Sequence, residues 1–287
     1  MAEPTADFAA LYHDRFGADA PAALAGGRIE GLAPEAAAAL AAILARRSYR
    51  RFADRPVSDG LAALLLAAAQ SAPAKSDLQQ LSIIDVRDPA RKKRLAELCD
   101  TDWMATAPVL LVFCGDLRRV RRLAALRGHP YAQNTLDSFM NAAVDAALAM
   151  QTYVVAAEIA GLGTCFVSQV RKRLPAVAET LAIRDGVFPV AGLAAGWPDE
   201  RRDVTLRLPP AAVVHRDRYD DDALAAAIEA YDRTRNARRA MPAQYKPDKF
   251  GTAPFYGWSE NATRRLAEPS DLAGLRAFLA GAGIALD

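Results

Sequence analysis

The sequence predicts an α+β protein with a central β-sheet flanked by helices. Two apolar runs, residues 107–114 and 188–195, have the length and the near-continuous hydrophobicity of strands that are buried on both faces. A long helix rich in small side chains is predicted between them, over residues 134–160. The order of elements mixes strand–helix alternation with long helical hairpins, which is typical of the α+β class.

Start and stop signals define the other elements in order. Pro34 suits the first turn of an alanine-rich helix, Ser58 has the position of an N-cap, and Gly161 is a usual helix terminator. The predicted helices cover 34–47, 59 to about 71, 89–99, 134–160, 174–181, a stretch from about 219, and 272–279. The predicted strands cover 80–86, 107–114 and 188–195. Residues 161–173 and 241–256 are expected to be connecting segments.

The composition indicates an ordinary soluble globular protein. The 287 residues are 52% apolar and 24% charged, and the net charge of +2 is too small to indicate a nucleic-acid partner. The N-terminus lacks the basic start and apolar run of a signal peptide. Asp145, Gln151 and Glu158 interrupt the longest apolar region, which favours a buried helix over a membrane span. We therefore expect a cytoplasmic protein with no membrane or nucleic-acid partner.

The sequence contains no recognisable set of catalytic or metal-binding side chains. The three histidines stand alone, and Cys99, Cys114 and Cys165 lie far apart without metal-ligand spacing, so they read as reduced, buried thiols. The glycine-rich signatures of dinucleotide and nucleoside-triphosphate sites do not occur. An enzyme of this kind takes its chemistry from a bound cofactor. We expect no catalytic side chain and no metal.

An arginine cluster around one serine is the strongest local signal. Residues 46–52 read RRSYRRF and begin where the alanine-rich stretch, residues 36–45, ends. One interpretation is a solvated helix end, where arginine stabilises the negative end of the helix dipole. The other is an anion site, because Arg46, Ser48 and Arg50 offer two guanidinium groups and a hydroxyl along one side of an extended chain. The segment by itself leaves both interpretations open.

Further motifs follow this cluster in a definite order. They are 67–73 (AAAQSAP), 76–84 (SDLQQLSII), 161–164 (GLGT), Arg171 and 192–198 (GLAAGWP). Together with the arginine cluster, this set resembles the nitroreductase family of FMN-dependent oxidoreductases over roughly residues 44–210. It is most similar to the branch that holds the oxygen-insensitive, NADPH-dependent nitroreductases and flavin reductases. The resemblance implies a nitroreductase-like fold with a mixed, mainly antiparallel sheet, and an intertwined homodimer.

The resemblance also assigns residues to an FMN site. Arg46 and Ser48 match the family's phosphate-binding positions, and Arg207 matches a distal arginine that completes the phosphate site. Arg50 matches a position near the ribityl chain or the pyrimidine edge of the flavin. Residues 76–79 match a loop over the flavin that the other subunit usually contributes. The implied cofactor-binding residues are Arg46, Arg47, Ser48, Arg50, Ser76, Gln79, Val167, Ser168, Gln169, Arg171 and Arg207.

The C-terminal part of the chain is expected to carry the nicotinamide specificity. Arg238 and Arg239 are candidates for binding the 2′-phosphate of NADPH, with a solvated arginine-rich helix face as the alternative. The resemblance divides the chain into an N-terminal arm (1–33), an FMN-binding domain (34–215) and a C-terminal extension (216–287). The extension is expected to wrap around the partner subunit.

The implied function is ping-pong hydride transfer by a flavoenzyme. NADPH or NADH would reduce FMN, and the reduced flavin would then reduce a nitroaromatic, a quinone or a free flavin. Three alternatives stay open: a flavoenzyme of the same fold that fragments flavin or dehalogenates its substrate, a flavin-binding protein without turnover, and a basic nucleic-acid-binding protein. The near-neutral net charge disfavours the last of these.

Overall fold

The computed structural model of the protein describes residues 6–24, 29–270 and 274–287. The chain forms two compact units, of which the first comprises residues 1–46 and 203–270 and the second residues 47–202 and 271–287. Each unit therefore combines segments that are far apart in the sequence. The three segments expected from the sequence, 1–33, 34–215 and 216–287, are continuous stretches of chain and do not correspond to these units. They stay a prediction about which part of the chain has which function.

The second unit contains a four-stranded antiparallel sheet. Its strands are β1 (Leu81–Asp85), β2 (Val109–Asp116), β3 (Gly163–Val167) and β4 (Val187–Gly196), in the order β1-β2-β4-β3. The central strands β2 and β4 are buried along nearly their whole length, as their continuous apolar runs predict. An α+β fold with a mainly antiparallel sheet is therefore confirmed.

The described residues also form eleven helices. They are α1 (Phe8–Phe16), α2 (Pro34–Ala45), α3 (Asp59–Gln70), α4 (Pro89–Leu98), α5 (Leu117–Leu126), α6 (Leu136–Ile159), α7 (Leu174–Thr180), α8 (Leu224–Arg238), α9 (Pro247–Phe250), α10 (Trp258–Leu266) and α11 (Leu275–Gly281). Helices α1, α2 and α8–α10 belong to the first unit, and the others belong to the second. The predicted N-cap at Ser58 is confirmed, because its hydroxyl accepts a hydrogen bond from the Leu61 amide at 3.3 Å.

Some predictions of local structure were wrong or incomplete. The expected connecting segment 161–173 contains β3, an edge strand held by its pairing with β4. Helices α5 and α10 were not predicted, and the expected loop 241–256 includes the short helix α9. The helix expected at 272–279 is observed as α11, while residues 272 and 273 lie outside the described part of the chain.

Helix α6 is the central helix of the second unit. It packs on α3 and on β2, and its buried face includes Ala146, Tyr153 and Val154. Within the described ranges, α6 alone has the length and apolar composition that would allow a helix to cross a membrane. The fully buried carboxylate of Asp145 and the packing against the sheet agree with the core helix that the sequence predicts.

Candidate functional site

Two residues within the arginine cluster, Ser48 and Tyr49, are paired with strand β3. Ser48 forms an isolated parallel bridge with Thr164, and the Tyr49 amide donates to the Thr164 carbonyl oxygen at 2.9 Å. The Thr164 hydroxyl donates to Oε1 of Glu158 at 2.7 Å, which ties the start of β3 to the last turn of α6. Ser48 is therefore held beside the strand that ends in Val167, another predicted cofactor residue.

The ring of Tyr49 lies directly on Gly163. A Cβ atom added to Gly163 would be 2.6 Å from Cδ2 of the Tyr49 ring, closer than real carbon atoms approach. Pro198 lies on the same side, 3.0 Å from that position. The second glycine of the GLGT motif therefore has a role of its own, distinct from that of the helix terminator Gly161, because it lets the arginine-cluster segment pack closely against β3.

Glu200 fixes the other end of the same segment. Its Oε1 accepts hydrogen bonds from the Arg50 amide at 3.0 Å and from the Arg51 amide at 3.2 Å, and its Oε2 pairs with Arg202 at 2.8 Å. Burial acts to raise the pKa of Glu200, but the hydrogen bonds from Arg202 and from the two amides outweigh it. The pKa of Glu200 therefore lies below its ordinary value. The exposed side chain of Arg50 projects from a main chain that is held at both ends.

Residues 168–171 form a short 3-10 turn at the end of β3. The carboxamide oxygen of Gln169 is buried and has no hydrogen-bond partner among the described residues. The Arg171 guanidinium donates to the Val190 carbonyl oxygen on β4. Arg171 also lines a cavity of about 570 Å³ between α7 and α11, which no other predicted cofactor residue lines in the described part of the chain. Gln169 thus has an unsatisfied acceptor, whereas Arg171 has a structural partner.

The loop that contains Ser76 and Gln79 adopts an uncommon backbone conformation. Ser76, Asp77 and Gln79 have φ angles of 51°, 56° and 50°, in the left-handed region that residues other than glycine rarely adopt. Such conformations cost about 1–3 kcal/mol each and persist only where the surroundings impose them. Both predicted residues are exposed, and the Gln79 carboxamide donates to the Asp77 carboxylate at 3.0 Å.

A buried carboxylate holds this loop at both ends. Oδ1 of Asp145 accepts from the Lys75 amide and Oδ2 from the Gln80 amide, each at 3.0 Å, and Asp145 is completely buried in α6. Arg119 adds a bond to the Gln79 carbonyl oxygen at 2.8 Å. In the sequence, Asp145 is only a polar interruption of an apolar helix. Its partners lie 65 and 70 residues away, so no local pattern indicates its role.

The loop and the end of β3 lie at opposite edges of the sheet. The loop leads into β1, and β1 and β3 are the outermost of the four strands. Ile84 of β1 and Val167 of β3 share one row across the sheet, through Val112 and Gly192. Three strand spacings of about 4.8 Å separate that row's ends by about 14 Å. Within one chain, the predicted contacts at 76–79 and at 167–169 are therefore well apart.

The first unit contains the other two predicted phosphate-binding residues, Arg46 and Arg207. Both are connected to a buried arginine of α1, Arg15, which is 5% exposed. The Arg15 guanidinium donates to the carbonyl oxygens of Leu44, Arg46 and Thr205, and the Arg207 amide donates to the Arg15 carbonyl oxygen. The guanidinium of Arg207 is exposed and makes no hydrogen bond or ion pair within the described residues. Sequence reasoning missed Arg15, because nothing near it marks it.

The two arginines proposed for NADPH differ in their surroundings. The Arg238 guanidinium donates to the carbonyl oxygens of His13 and Asp14 at 2.9 and 2.8 Å, so it caps the last turn of α1. A cation at a helix C-terminus is a common stabilising arrangement. The exposed Arg239 makes no side-chain hydrogen bond within the described ranges. The role of both residues in nicotinamide binding stays a prediction.

Comparison with known proteins identifies relatives across most of the chain. The model of the nitroreductase family matches residues 43–103 and 97–197, and the model of the nitroreductase family C-terminal domain matches residues 206–287. An NAD(P)H-dependent FMN reductase of Bacillus subtilis is 38% identical over 191 residues, which cover 65% of this chain and 76% of that protein. An oxygen-insensitive NADPH nitroreductase of Salmonella typhimurium is 35% identical over 64% of this chain and 76% of its own.

Solved structures show the same fold. The structure of NfrA2 from B. megaterium has a TM-score of 0.78 and 32% sequence identity, covering 87% of this chain and 99% of its own. An NADPH:FMN oxidoreductase from Vibrio harveyi, solved as a complex with NAD⁺, has a TM-score of 0.75 and 27% identity, covering 86% and 98%. The predicted nitroreductase-like fold is therefore confirmed.

Proposed function

The chain belongs to the nitroreductase family, and from this premise we propose that it is an FMN-dependent NAD(P)H oxidoreductase. The observation that carries the proposal is the pairing of the arginine-cluster segment with β3. The bonds of Ser48 and Tyr49 to Thr164 hold this segment along the strand that ends at Val167. Named relatives at 38% and 35% identity are an FMN reductase and a nitroreductase, which supports the same reaction class.

The described residues fit a flavin mononucleotide. A phosphate monoester is dianionic near neutral pH and is bound by arginine forks and hydroxyl groups, and Arg46, Ser48 and Arg207 offer these groups. The buried acceptor oxygen of Gln169 suits a donor, and flavins carry an imide N–H and ribityl hydroxyls. When bound, FMN supplies the redox chemistry, taking a hydride from NAD(P)H and reducing a nitroaromatic, a quinone or a free flavin. The chain's own residues bind and orient it.

The remaining predicted contacts divide into two groups. Arg47, Arg50, Val167, Ser168 and Arg171 are proposed to contact FMN from one chain. Ser76 and Gln79 are proposed to contact the FMN of the partner subunit. The distance of about 14 Å between the two sheet edges supports this division, because one flavin edge cannot touch both from the same chain.

A homodimer is further supported by an exposed apolar row on α6. Leu136, Met140, Val144 and Leu148 follow one another at intervals of four residues, so they lie on one side of the helix. Their side chains are 46%, 56%, 47% and 38% exposed. A contiguous exposed apolar surface of this kind marks an interaction site in a soluble protein. We propose that it packs against a second copy of the chain, in a soluble, cytoplasmic dimer.

We propose the FMN-binding function for residues 34–215, and dimer wrapping with nicotinamide specificity for 216–287. Arg238 and Arg239 are the candidates for the 2′-phosphate of NADPH. Arg239→Ala should raise the KM for NADPH and leave the KM for NADH unchanged, because only NADPH carries that phosphate. Arg238→Ala removes the cap of α1 as well, so its variant should also lose thermal stability.

The central experiment is spectroscopic. The purified protein, reconstituted with FMN, should lose the visible absorbance of the oxidised flavin when NADPH is added without oxygen. The absorbance should return when a nitroaromatic or a quinone is added. Failure to bind FMN would refute the proposal, and FMN binding without bleaching would leave only a flavin-binding protein.

Binding of the phosphate is tested by a pair of arginine variants. Arg46→Ala should weaken FMN binding by about 1.5–3 kcal/mol, the contribution of a charge-assisted hydrogen bond. Arg51→Ala is the matched control, because Arg51 is exposed and pairs at 3.7 Å with the equally exposed Asp199. The affinity of both variants is measured by quenching of flavin fluorescence. Equal affinities for the two variants would mean that the phosphate site is wrongly assigned.

A further inference from the structure

A buried arginine of the first helix connects two chain segments that are 161 residues apart. Oxygen atoms on both segments accept from its guanidinium: Leu44 and Arg46 on one side, at 2.6–3.0 Å, and Thr205 on the other, at 2.9 Å. The Arg207 amide closes the arrangement by donating to the Arg15 carbonyl oxygen at 2.9 Å. The side chain and the main chain of Arg15 therefore hold the same two segments.

The position of Arg15 is explained by the end of α2. The last carbonyl groups of a helix lack partners within it and carry the negative end of the helix dipole. Helix α2 has no basic residue in its own last turn. The guanidinium of Arg15 supplies both the missing donors and the positive charge at Leu44. Burial of a guanidinium is unfavourable unless its N–H groups are bonded, and the three carbonyl oxygens meet that requirement.

Both ends of helix α1, which carries Arg15, are fixed by local contacts. The Asp7 carboxylate accepts from the Ala10 amide at 2.9 Å and caps the first turn. Gly17 ends the helix with a φ of 67°, and a Cβ added there would lie 2.5 Å from the Thr234 side chain. The helix therefore begins at a capped residue and ends in close contact with α8. Helix α1 lies before the residues that the nitroreductase family model matches, which begin at residue 43.

We infer that Arg15 is a positioning residue for the FMN phosphate, and that α1 sets the spacing of Arg46 and Arg207. This inference rests on the proposed function. The two residues carry the phosphate-binding guanidinium groups, and Arg15 bonds the main chain of one and is bonded by the main chain of the other. Removal of Arg15 frees the end of α2 from residues 205–207. The flavin ring and the ribityl chain do not depend on this connection.

The consequence is a selective loss of affinity for the phosphate. Arg15→Met keeps an apolar stem in the buried site but removes all the donated hydrogen bonds. We expect the Kd for FMN to rise about tenfold, the effect of weakening one charge-assisted contact. The Kd for riboflavin, which lacks the phosphate, should stay within about twofold. Arg15→Lys keeps the charge but has one ammonium group in place of the guanidinium fork. Its Kd for FMN should therefore lie between those of Arg15→Met and the wild type.

The experiment measures the preference for FMN, defined as the Kd for riboflavin divided by the Kd for FMN, by quenching of flavin fluorescence. Arg264→Met is the control, because Arg264 is a second buried arginine of the same unit, and its guanidinium donates to the carbonyl oxygens of Tyr245 and Gly251 instead of to residues proposed to bind FMN. A preference that falls in Arg15→Met, partly in Arg15→Lys and not in Arg264→Met supports the inference. An unchanged preference in Arg15→Met, or an equal fall in Arg264→Met, overturns it. If Arg15→Met does not fold, an unchanged preference for FMN in Arg15→Lys overturns it in the same way.

The wild type separates this inference from the function on which it rests. A wild-type protein that binds neither flavin would refute the proposed function. A wild-type protein that binds FMN and riboflavin equally would refute the phosphate site and, with it, the role of Arg15. The proposed function and the role of Arg15 both hold only if the wild type binds FMN more tightly than riboflavin and Arg15→Met loses this preference.

Discussion

The substitution Asp145→Asn tests how the loop at residues 75–80 is held. The wild-type carboxylate uses one oxygen for the Lys75 amide and the other for the Gln80 amide, both at 3.0 Å. Asparagine has nearly the same shape but only one acceptor oxygen. Its amino group would face one of the two amides, so that two donors would oppose each other. One end of the loop would therefore lose its bond.

The expected effect on stability follows from these two bonds. A hydrogen bond to a charged group contributes about 1.5–3 kcal/mol, and a buried amide left without an acceptor costs about 1–3 kcal/mol. The bond that remains is weakened because its acceptor becomes neutral. Relief of the buried charge offsets part of this loss. We expect the free energy of unfolding to fall by about 2–4 kcal/mol, a large fraction of the 5–15 kcal/mol typical of a folded domain.

The assay combines urea unfolding with hydrogen exchange measured by mass spectrometry. Peptides that cover residues 75–80 should exchange faster in Asp145→Asn than in the wild type. Asp137→Asn is the matched control on the same helix, because Asp137 is exposed and, among the described residues, its carboxylate accepts a hydrogen bond only from the nearby Asn141 side chain, at 2.8 Å. Its effect should stay within about 1 kcal/mol.

Equal losses of stability in Asp145→Asn and Asp137→Asn would refute this reasoning. So would unchanged exchange in the 75–80 peptides, because the loop would then be held by other contacts. A loss of stability together with unchanged FMN affinity would have a narrower meaning. It would keep the structural role of Asp145 and remove Ser76 and Gln79 from the proposed FMN contacts.

Three further predictions concern the second unit. Gly163→Ala should cost about 1–3 kcal/mol in urea unfolding and weaken FMN binding, because the added carbon overlaps the Tyr49 ring. The lowered pKa of Glu200 stabilises the fold above its unfolded pKa, near 4.5, and this contribution is lost as the pH falls through the lower folded value. The stability difference between the wild type and Glu200→Gln should therefore be constant near neutral pH and shrink as the pH falls below about 4.5. Burial raises the pKa of Cys99 to about 11 and of Cys114 to about 12, so neither thiol should react with a disulfide reagent in the folded protein near neutral pH.

These predictions have their own controls. Gly60→Ala adds the same carbon atom where nothing lies within 4 Å, so it should leave stability nearly unchanged. A stability difference for Glu200→Gln that is constant with pH would contradict the assigned hydrogen bonds. Rapid reaction of the two thiols before unfolding would contradict their burial.

The elements that the sequence predicted are those with local signals. The N-cap at Ser58 bonds an amide three residues away, and β2 and β4 are marked by their own apolar side chains. Helix α10 lacks such a signal. Its first turn is capped by Asp232, which accepts from the Ser259 amide across 27 residues of sequence. Strand β3 has five residues and pairs with one strand of the sheet, β4, so its pairing decides its conformation more than its composition does.

The candidate site divides in the same way. The arginine cluster and the glycine motifs are visible in the sequence, because side-chain type and order are enough to indicate a family. The residues that hold these segments are not visible. Arg15 and Asp145 each look like an ordinary charged residue of a helix, and their partners are main-chain groups between 29 and 190 residues away. Main-chain groups are the same at every position, so no sequence pattern identifies them as partners.

Arg15 and Asp145 also share a physical reason for the burial of their charge. A buried charge is unfavourable by several kcal/mol unless its hydrogen bonds are complete. A charge that bonds only nearby groups would gain little that a neutral side chain could not supply. Both residues bond main-chain groups on segments that helix or sheet pairing does not hold: residues 205–207 for Arg15, and the strained loop at 75–80 for Asp145. A charged acceptor or donor forms stronger bonds than a neutral one, and these segments carry residues proposed to bind the cofactor. The stronger bonds of a buried charge therefore offset its desolvation where an irregular segment must keep one conformation. A buried charge that bonds the main chain of an irregular segment would identify positioning residues in other proteins of this fold.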